Sequence, residues 1–185
     1  EMDKQKVRFV EGAVANEIDE KLADEIFELL AYFAGYGFNK SHSAAYGMVS
    51  YQTAWLKAHH RAEYMSALMS IERNNTDKIL LYISDCKRAG LEVLPPDVNA
   101  SHANFDVPAD NRNQIRFGLA AVKGVGTGAV EAITEARDDA GGRFQSFTDC
   151  VERLDFGRVN KKVLESLIKC GAFDWTEQPR RQLFE

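Results

Sequence analysis

Leu119-Ala120-Ala121-Val122-Lys123-Gly124-Val125-Gly126-Thr127-Gly128-Ala129-Val130-Glu131-Ala132-Ile133 is the stretch on which the architecture turns. A short apolar segment runs into Gly-Val-Gly, after which Val130 and Ile133 recur at the spacing of a helix with one face turned inward. Glycine lets a backbone turn sharply and approach another group with no Cβ in the way. The helix start that follows offers N–H groups without partners and a favourable dipole, so the turn suits a phosphate. Lys123 adds a point charge beside it. The spacing equally suits a glycine turn packed between two helices with no ligand. It is not a P-loop, because no Gly-Lys-Ser/Thr closes the run.

This is the pattern of a helix-hairpin-helix element, and the chain beyond it continues helical. Helices are predicted over Thr127 to about Asp139, Phe147 to Leu154, and Lys161 to Cys170, the last capped by Asn160 and stopped by Gly171. Arg158, Lys161 and Lys162 put three basic groups within five residues and form a candidate backbone-binding edge. Glu152, Asp155 and Glu165 dilute its field, so a plain charged helix face competes with that reading. The helix-hairpin-helix-like module is assigned to 118–175 and a truncated helical tail to 176–185.

Upstream, Leu91 to Leu94 alternates and is halted by Pro95-Pro96. Phe105-Asp106-Val107 and Ile115-Arg116-Phe117 flank an Asn/Asp-rich stretch, which predicts a small antiparallel β insert over 91–117. Residues 1–90 read as helical. Asp19 is positioned to cap a helix in which Leu22, Ile26, Leu29, Leu30 and Phe33 recur on one face, with Gly35 as its stop and Glu20, Asp24, Glu25 and Glu28 on a solvated face. Ala44 to about Arg73 reads as one long helix or two, with a possible break near His59-His60-Arg61 and with Trp55, Met65 and Met69 as core. Thr76 is expected to cap the next helix and Gly90 to end it. The fold class is therefore mainly α with a small β insert.

Between the first two of these helices lies the loop 35–46, in which Asn39, Lys40, Ser41, His42 and Tyr46 form the densest set of hydrogen-bonding side chains in the chain. Ser41 or Ser43 is expected to cap the following helix. His42 and Tyr46, at i and i+4, then share a face beside a helix N-terminus. Lys40 and His42 suit an anion, and the Tyr46 ring suits a sugar or base. A capping turn with a surface histidine fits the same residues.

The 185 residues carry 28 Asp/Glu and 23 Lys/Arg, for a net charge of −5. Residues 1–30 hold nine of the acids and four of the bases, so the remaining chain has nineteen of each sign and a nucleic-acid surface is neither demanded nor excluded. The absence of an apolar run near 20 residues argues against a membrane span, and no leader pattern directs the chain out of the cytoplasm. Glu1 to Val14 already reads as helical with no start signal, as a piece of something longer would. Cys86, Cys150 and Cys170 lack metal-ligand spacing and read as reduced, buried thiols. No catalytic residue and no metal ligand is assigned: Ser41-His42-Ser43 has no orienting acid, and Glu17-x-Asp19 is better explained by capping.

Phe33-Ala34-Gly35-Tyr36-Gly37-Phe38-Asn39-Lys40-Ser41-His42-Ser43-Ala44-Ala45-Tyr46 and Val49-Ser50-Tyr51-Gln52-Thr53-Ala54-Trp55-Leu56-Lys57-Ala58-His59 resemble the fingers region of C-family bacterial replicative polymerases. The resemblance continues through Val93-Leu94-Pro95-Pro96-Asp97-Val98-Asn99, the Phe117–Gly126 segment and Asn160–Asp174, and so covers nearly the whole chain. It implies a fingers core at 1–90 with a nucleotide-facing loop at 35–46. Asn39, Lys40, Ser41, His42 and Tyr46 would line the pocket for an incoming dNTP. Lys123, Gly124, Val125, Gly126, Lys161 and Lys162 would hold the backbone of the primer-template DNA duplex. Where the family usually has Tyr-Pro after Lys57-Ala58-His59, this chain has His60-Arg61 and lacks the proline that would force a break. The polymerising carboxylates belong to a palm domain with no counterpart here. The resemblance thus implies no cofactor on this piece, Mg2+ in the palm of the parent, no catalysis by the piece alone, and a cytoplasmic location. Implied partners are the palm and other domains of the parent chain and replicase subunits, including the sliding clamp through segments outside this chain. The competing reading is a free-standing helix-hairpin-helix DNA-binding protein of repair or recombination type.

Overall fold

A computed structural model describes residues 2–36 and 39–184. Gly37 and Phe38, within the predicted ligand loop, lie outside the described residues. The backbone divides into two compact units, 1–54 and 55–185.

In the first unit α1 (Met2–Ala15) and α2 (Glu20–Tyr36) pack on each other, and α3 (Lys40–His59) begins. Asp19 caps α2 as expected, its Oδ1 accepting the Leu22 N–H at 3.0 Å. Gly35 does not stop the helix, which runs on to Tyr36. The α1–α2 contact buries Ala23 and Phe27, and Phe9 lies against the Phe27 ring with centroids 5.5 Å apart. Lys6 reaches Asp24 at 2.8 Å and Glu28 at 2.5 Å, and these two hydrogen bonds, Asp24 first, hold its ammonium above the ordinary lysine pKa. The expected inward stripe is not inward: Leu22, Ile26, Leu29, Leu30 and Phe33 are all exposed, Leu29 at 70%. Periodicity reports that a helix has an apolar face, whereas burial needs something to cover it.

The second unit carries two cores. In one, α4 (Arg61–Ile71) and α5 (Thr76–Arg88) bury Met65, Met69, Ile79 and Cys86 against Phe105 and Ile115. The break between α3 and α4 falls at His60 (φ −131°, ψ 54°) without a proline. Trp55, expected in the core, is 44% exposed. Asn75, not Thr76, caps α5, its side chain accepting the Lys78 N–H at 3.2 Å. Gly90, at φ +78°, closes that helix, with Leu91 N–H bonded to Cys86 O and Gly90 N–H to Lys87 O. This is the paired C-terminal motif glycine permits.

The β insert is a correction. Strand β1 (Glu92–Leu94) pairs in parallel with β2 (Gln114–Arg116), and the expected antiparallel hairpin survives only as a single bridge between Asp106 and Arg116. The reason is Pro108. After the hydrogen-bonded Asp106–Arg116 pair, the next antiparallel bond would need an N–H at 108, which proline lacks. The chain turns there instead, with Asn111 N–H donating to Pro108 O.

The other core gathers α6 (Thr127–Asp139), α7 (Phe147–Arg153) and α8 (Lys161–Lys169) around Val130, Ile133, Phe144, Val159, Leu167 and Phe173, side chains whose full burial contributes about 1.5–3 kcal/mol apiece. The Pro95-Pro96-Asp97-Val98-Asn99 segment ties the insert to this module. Val98 N–H donates to Ala172 O, Asn99 exchanges two hydrogen bonds with the Phe144 backbone, and Ser101 Oγ donates to Phe117 O. Arg137, 95% buried, donates to Val98 O at 3.2 Å and Ser101 O at 2.9 Å. Gly118 passes so close that a Cβ would meet Asn104 C at 2.5 Å, so only glycine fits there. Asn160 caps α8 by accepting the Val163 N–H, and Gly171 (φ +87°) stops it, as expected. Among the described residues no helix is long and apolar enough to cross a membrane.

Candidate functional site

The glycine turn begins with a short 3-10 segment, Leu119–Ala121, whose Leu119 and Ala120 N–H groups are held by His102 O and Ala103 O. Gly124 then adopts φ +89°, a left-handed value that L side chains rarely take. Val125 pins the turn, with its side chain buried and its N–H donated to Val122 O at 3.0 Å. That N–H is therefore engaged inside the turn, unlike those that follow. Gly126 caps α6 without a side-chain bond, and the N–H groups of Gly126, Thr127 and Gly128 are exposed with no acceptor among the described residues. A Cβ at Gly126 or Gly128 would meet nothing within 4 Å, so both leave open space over those donors. Lys123 is exposed beside them. An anion approaching α6 meets three converging N–H groups at the positive end of a thirteen-residue helix.

The start of α8 repeats this geometry 34 residues later. Val159 is buried as Val125 is, and Asn160 caps as Gly126 does. Each cap carbonyl accepts from the residues three and four ahead, Ala129 and Val130 in one case and Val163 and Leu164 in the other. Ala129 and Ile133 match Val163 and Leu167 as the buried positions. The contacts are reciprocal. The first turn lies against the middle of α8, where a Cβ on Gly124 would stand 3.2 Å from Ser166 Oγ. The second lies against the middle of α6, where Arg158 pairs with Glu135 at 2.6 Å and Glu131 at 3.3 Å. Each helix start thus packs against the other's helix, although the turns before them differ: Gly124 is left-handed, and Arg158, its counterpart 34 residues on, is not. Sequence reasoning missed the duplication because only the buried positions repeat, while the exposed Thr127-Gly128 becomes Lys161-Lys162.

Arg158 is consequently withdrawn from the basic edge, its guanidinium held above the ordinary arginine pKa first by the hydrogen bond to Glu135. Lys161 and Lys162 remain exposed on the first turn of α8.

At α3 the cap is neither Ser41 nor Ser43. Asn39 Oδ1 accepts the N–H groups of Ser41 at 2.9 Å and His42 at 3.3 Å, and Asn39 O accepts that of Ser43. Asn39 lies just outside the helix, where its short side chain reaches back to these donors. The amide donors of Ser41, His42 and Ser43 are thereby occupied, which leaves chiefly side chains to meet an anion. Lys40, Ser41, His42 and Tyr46 are all exposed, and the His42 and Tyr46 rings stand 4.3 Å apart at 52°, on one face as their spacing predicts. No group of three or more His, Cys, Asp or Glu able to hold a metal comes together among the described residues, and no residue of this chain is given that role.

Two helix starts packed reciprocally, one with amides that meet no acceptor among the described residues and one with two exposed lysines, define a helix-hairpin-helix protein. Residues 90–183 match the family model described as "Helix-hairpin-helix motif", and the chain belongs to that family. The similarity to curated proteins is longer still. The chain is 51% identical to DNA polymerase III subunit alpha of Vibrio cholerae and 52% to that of Pseudomonas aeruginosa, each over 94% of its length, and 49% to that of Neisseria meningitidis over 99%. It spans only 15–16% of the length of these relatives.

Proposed function

We propose that this chain is the fingers region, with its adjoining helix-hairpin-helix module, of a replicative DNA polymerase. Its task is to position an incoming dNTP and the primer-template duplex for template-directed synthesis. The observation that carries this reading is the similarity to DNA polymerase III alpha subunits over nearly the whole chain, helical first unit included. A free-standing repair or recombination DNA-binding protein would need only the 90–183 module and would leave α1 to α5 unexplained.

In this reading Lys40, Ser41 and His42 meet the triphosphate, and the Tyr46 ring, supported by His42, packs on the sugar or base. Asn39 holds the start of α3 in shape rather than contacting phosphate through free amides. The two turns of the module hold duplex phosphates, through amides at Gly126 to Gly128 beside Lys123 and through Lys161 and Lys162. The chemistry is a two-metal phosphoryl transfer carried out by palm carboxylates and Mg2+ elsewhere in the parent chain, so this piece contributes alignment and charge neutralisation and is inactive alone. The exposed apolar stripe on α2 supports burial against other domains of that parent. Clamp and replicase contacts belong to segments outside this chain, and the location is cytoplasmic.

The test is steady-state primer extension by the full-length parent carrying His42→Ala or Tyr46→Ala. The apparent KM for dNTP rises about 10-fold or more, while the affinity for primer-template stays near wild type. An unchanged KM removes the nucleotide-facing role.

A further inference from the structure

The geometry points to a second nucleic-acid site, for an unpaired DNA strand, in the cleft that opens where α3 gives way to α4. The cleft measures about 400 Å³ and is lined by His59, His60, Arg61, Glu63, Arg112 and Asn113. A neighbouring hollow of about 360 Å³ shares Arg61 and adds Lys57 and Arg88. Six basic side chains therefore line two adjoining hollows within the second unit.

Their partners decide which of them remain available. Arg88 is paired with Asp85, and Arg112 lies 3.8 Å from Glu63, a loose contact between two exposed side chains. Arg61 donates Nε–H to Lys57 O and has no carboxylate within ion-pair distance among the described residues, nor has Lys57. Two acids thus oppose four permanent cations and two imidazoles. The excess charge lies in a concavity the size of one nucleotide.

Charge alone would suit any polyanion, but the rings narrow the choice. Trp55 is exposed just outside the lining of the two hollows and stands against both cleft imidazoles, with centroids 4.7 Å from His59 and 5.5 Å from His60. A flat aromatic surface edged by cations is the arrangement on which bases stack while the backbone follows the charge. Only an unpaired strand offers a free base face, because a duplex hides its faces in its own stack.

The choice of DNA as the strand rests on the polymerase reading above, and the natural occupant is then the unpaired template. The experiment uses this chain and a fluorescent oligo-dT, titrated by anisotropy across a salt series. Arg61→Gln with Arg112→Gln weakens binding about tenfold and flattens the log–log salt dependence by ~1.4, two phosphate contacts' worth for a single strand. Trp55→Phe weakens binding less and abolishes the strand-induced change in tryptophan fluorescence. Lys87→Gln, an exposed cation outside the cleft, serves as the control and leaves binding as it was. Equal affinity in the double arginine variant overturns the proposal, as does absence of wild-type binding at millimolar strand. Equal displacement by inorganic phosphate with no tryptophan response reduces the cleft to a simple anion site and overturns the strand assignment. No polymerisation is measured, so a failed KM test at His42 and Tyr46 stays separable from this result.

Discussion

Gly124 and Ser166 lie so close that a Cβ on the glycine would stand 3.2 Å from the serine oxygen, which makes the first turn of the module a surface fitted onto α8. Two constraints meet at Gly124, this contact and its φ of +89°. Gly124→Ala should therefore destabilise the chain by about 1–2 kcal/mol in urea unfolding, mostly from the left-handed backbone. Ser166→Gly in the same chain relieves the contact but not the dihedral and recovers only part of the loss.

Gly126→Ala separates stability from binding. Its φ is −83° and a Cβ there meets nothing, so unfolding should be unchanged within about 0.5 kcal/mol. A methyl over the open amides of α6 should nevertheless weaken duplex binding regardless of base sequence. Wild-type affinity for two unrelated duplexes would remove that turn from the interface.

Arg137 is buried and donates to two carbonyls from the segment leading out of the β insert. Arg137→Leu leaves Val98 O and Ser101 O unsatisfied, and the expected loss is about 3 kcal/mol in the unfolding midpoint analysis. Hydrogen exchange should show the loss centred on residues 97–101.

Acid should loosen the module through two carboxylates, half-buried Asp149 and exposed Asp174. Asp149 accepts the Gln145 N–H, which lowers its pKa first, and then the Arg153 guanidinium; Asp174 is lowered by its Arg180 hydrogen bonds. Both lie below the ordinary 3.8, so their stabilisation is complete above that value and fades as pH falls through the depressed native values. Asp149→Asn should shrink the stability gap between pH 6 and pH 3, and an identical gap would contradict the assignment.

The thiols should react in order of burial. Desolvation pushes Cys150 up to about 12, with Asp149 adding to it, and raises Cys86 and Cys170 as well. Only Cys170 is partly accessible. An Ellman titration of the folded chain at pH 8 should label Cys170 first and reach Cys150 only on unfolding.

Local grammar was readable where one residue carries the instruction. Asp19 and Asn160 cap, and Gly90 and Gly171 close their helices, because those side chains or dihedrals act on their own backbone. Asn39 and Asn75 were missed in favour of neighbouring Ser and Thr, since several residues in a row can accept the same N–H and only the last non-helical one does. The parallel pairing of β1 was hidden because its partner lies some twenty residues away, and the shortened hairpin because it turns on a missing donor at Pro108. The apolar face of α2 was legible but its exposure was not, because spacing identifies a face without naming its cover. Of the candidate site, the i, i+4 pairing of His42 with Tyr46 was legible, whereas the occupation of the α3 amides by Asn39 was not.

The two helix starts of the module share their cap dihedrals and differ in surface, one a glycine and a threonine with Lys123 just before them, the other a pair of lysines on the helix itself. On the interface proposed for them, rising ionic strength would strip the lysine half first, while the close-fitting glycine half, which depends on shape, would hold on as a pivot. A duplex advancing one base pair at a time could then be released on one side and kept in register on the other.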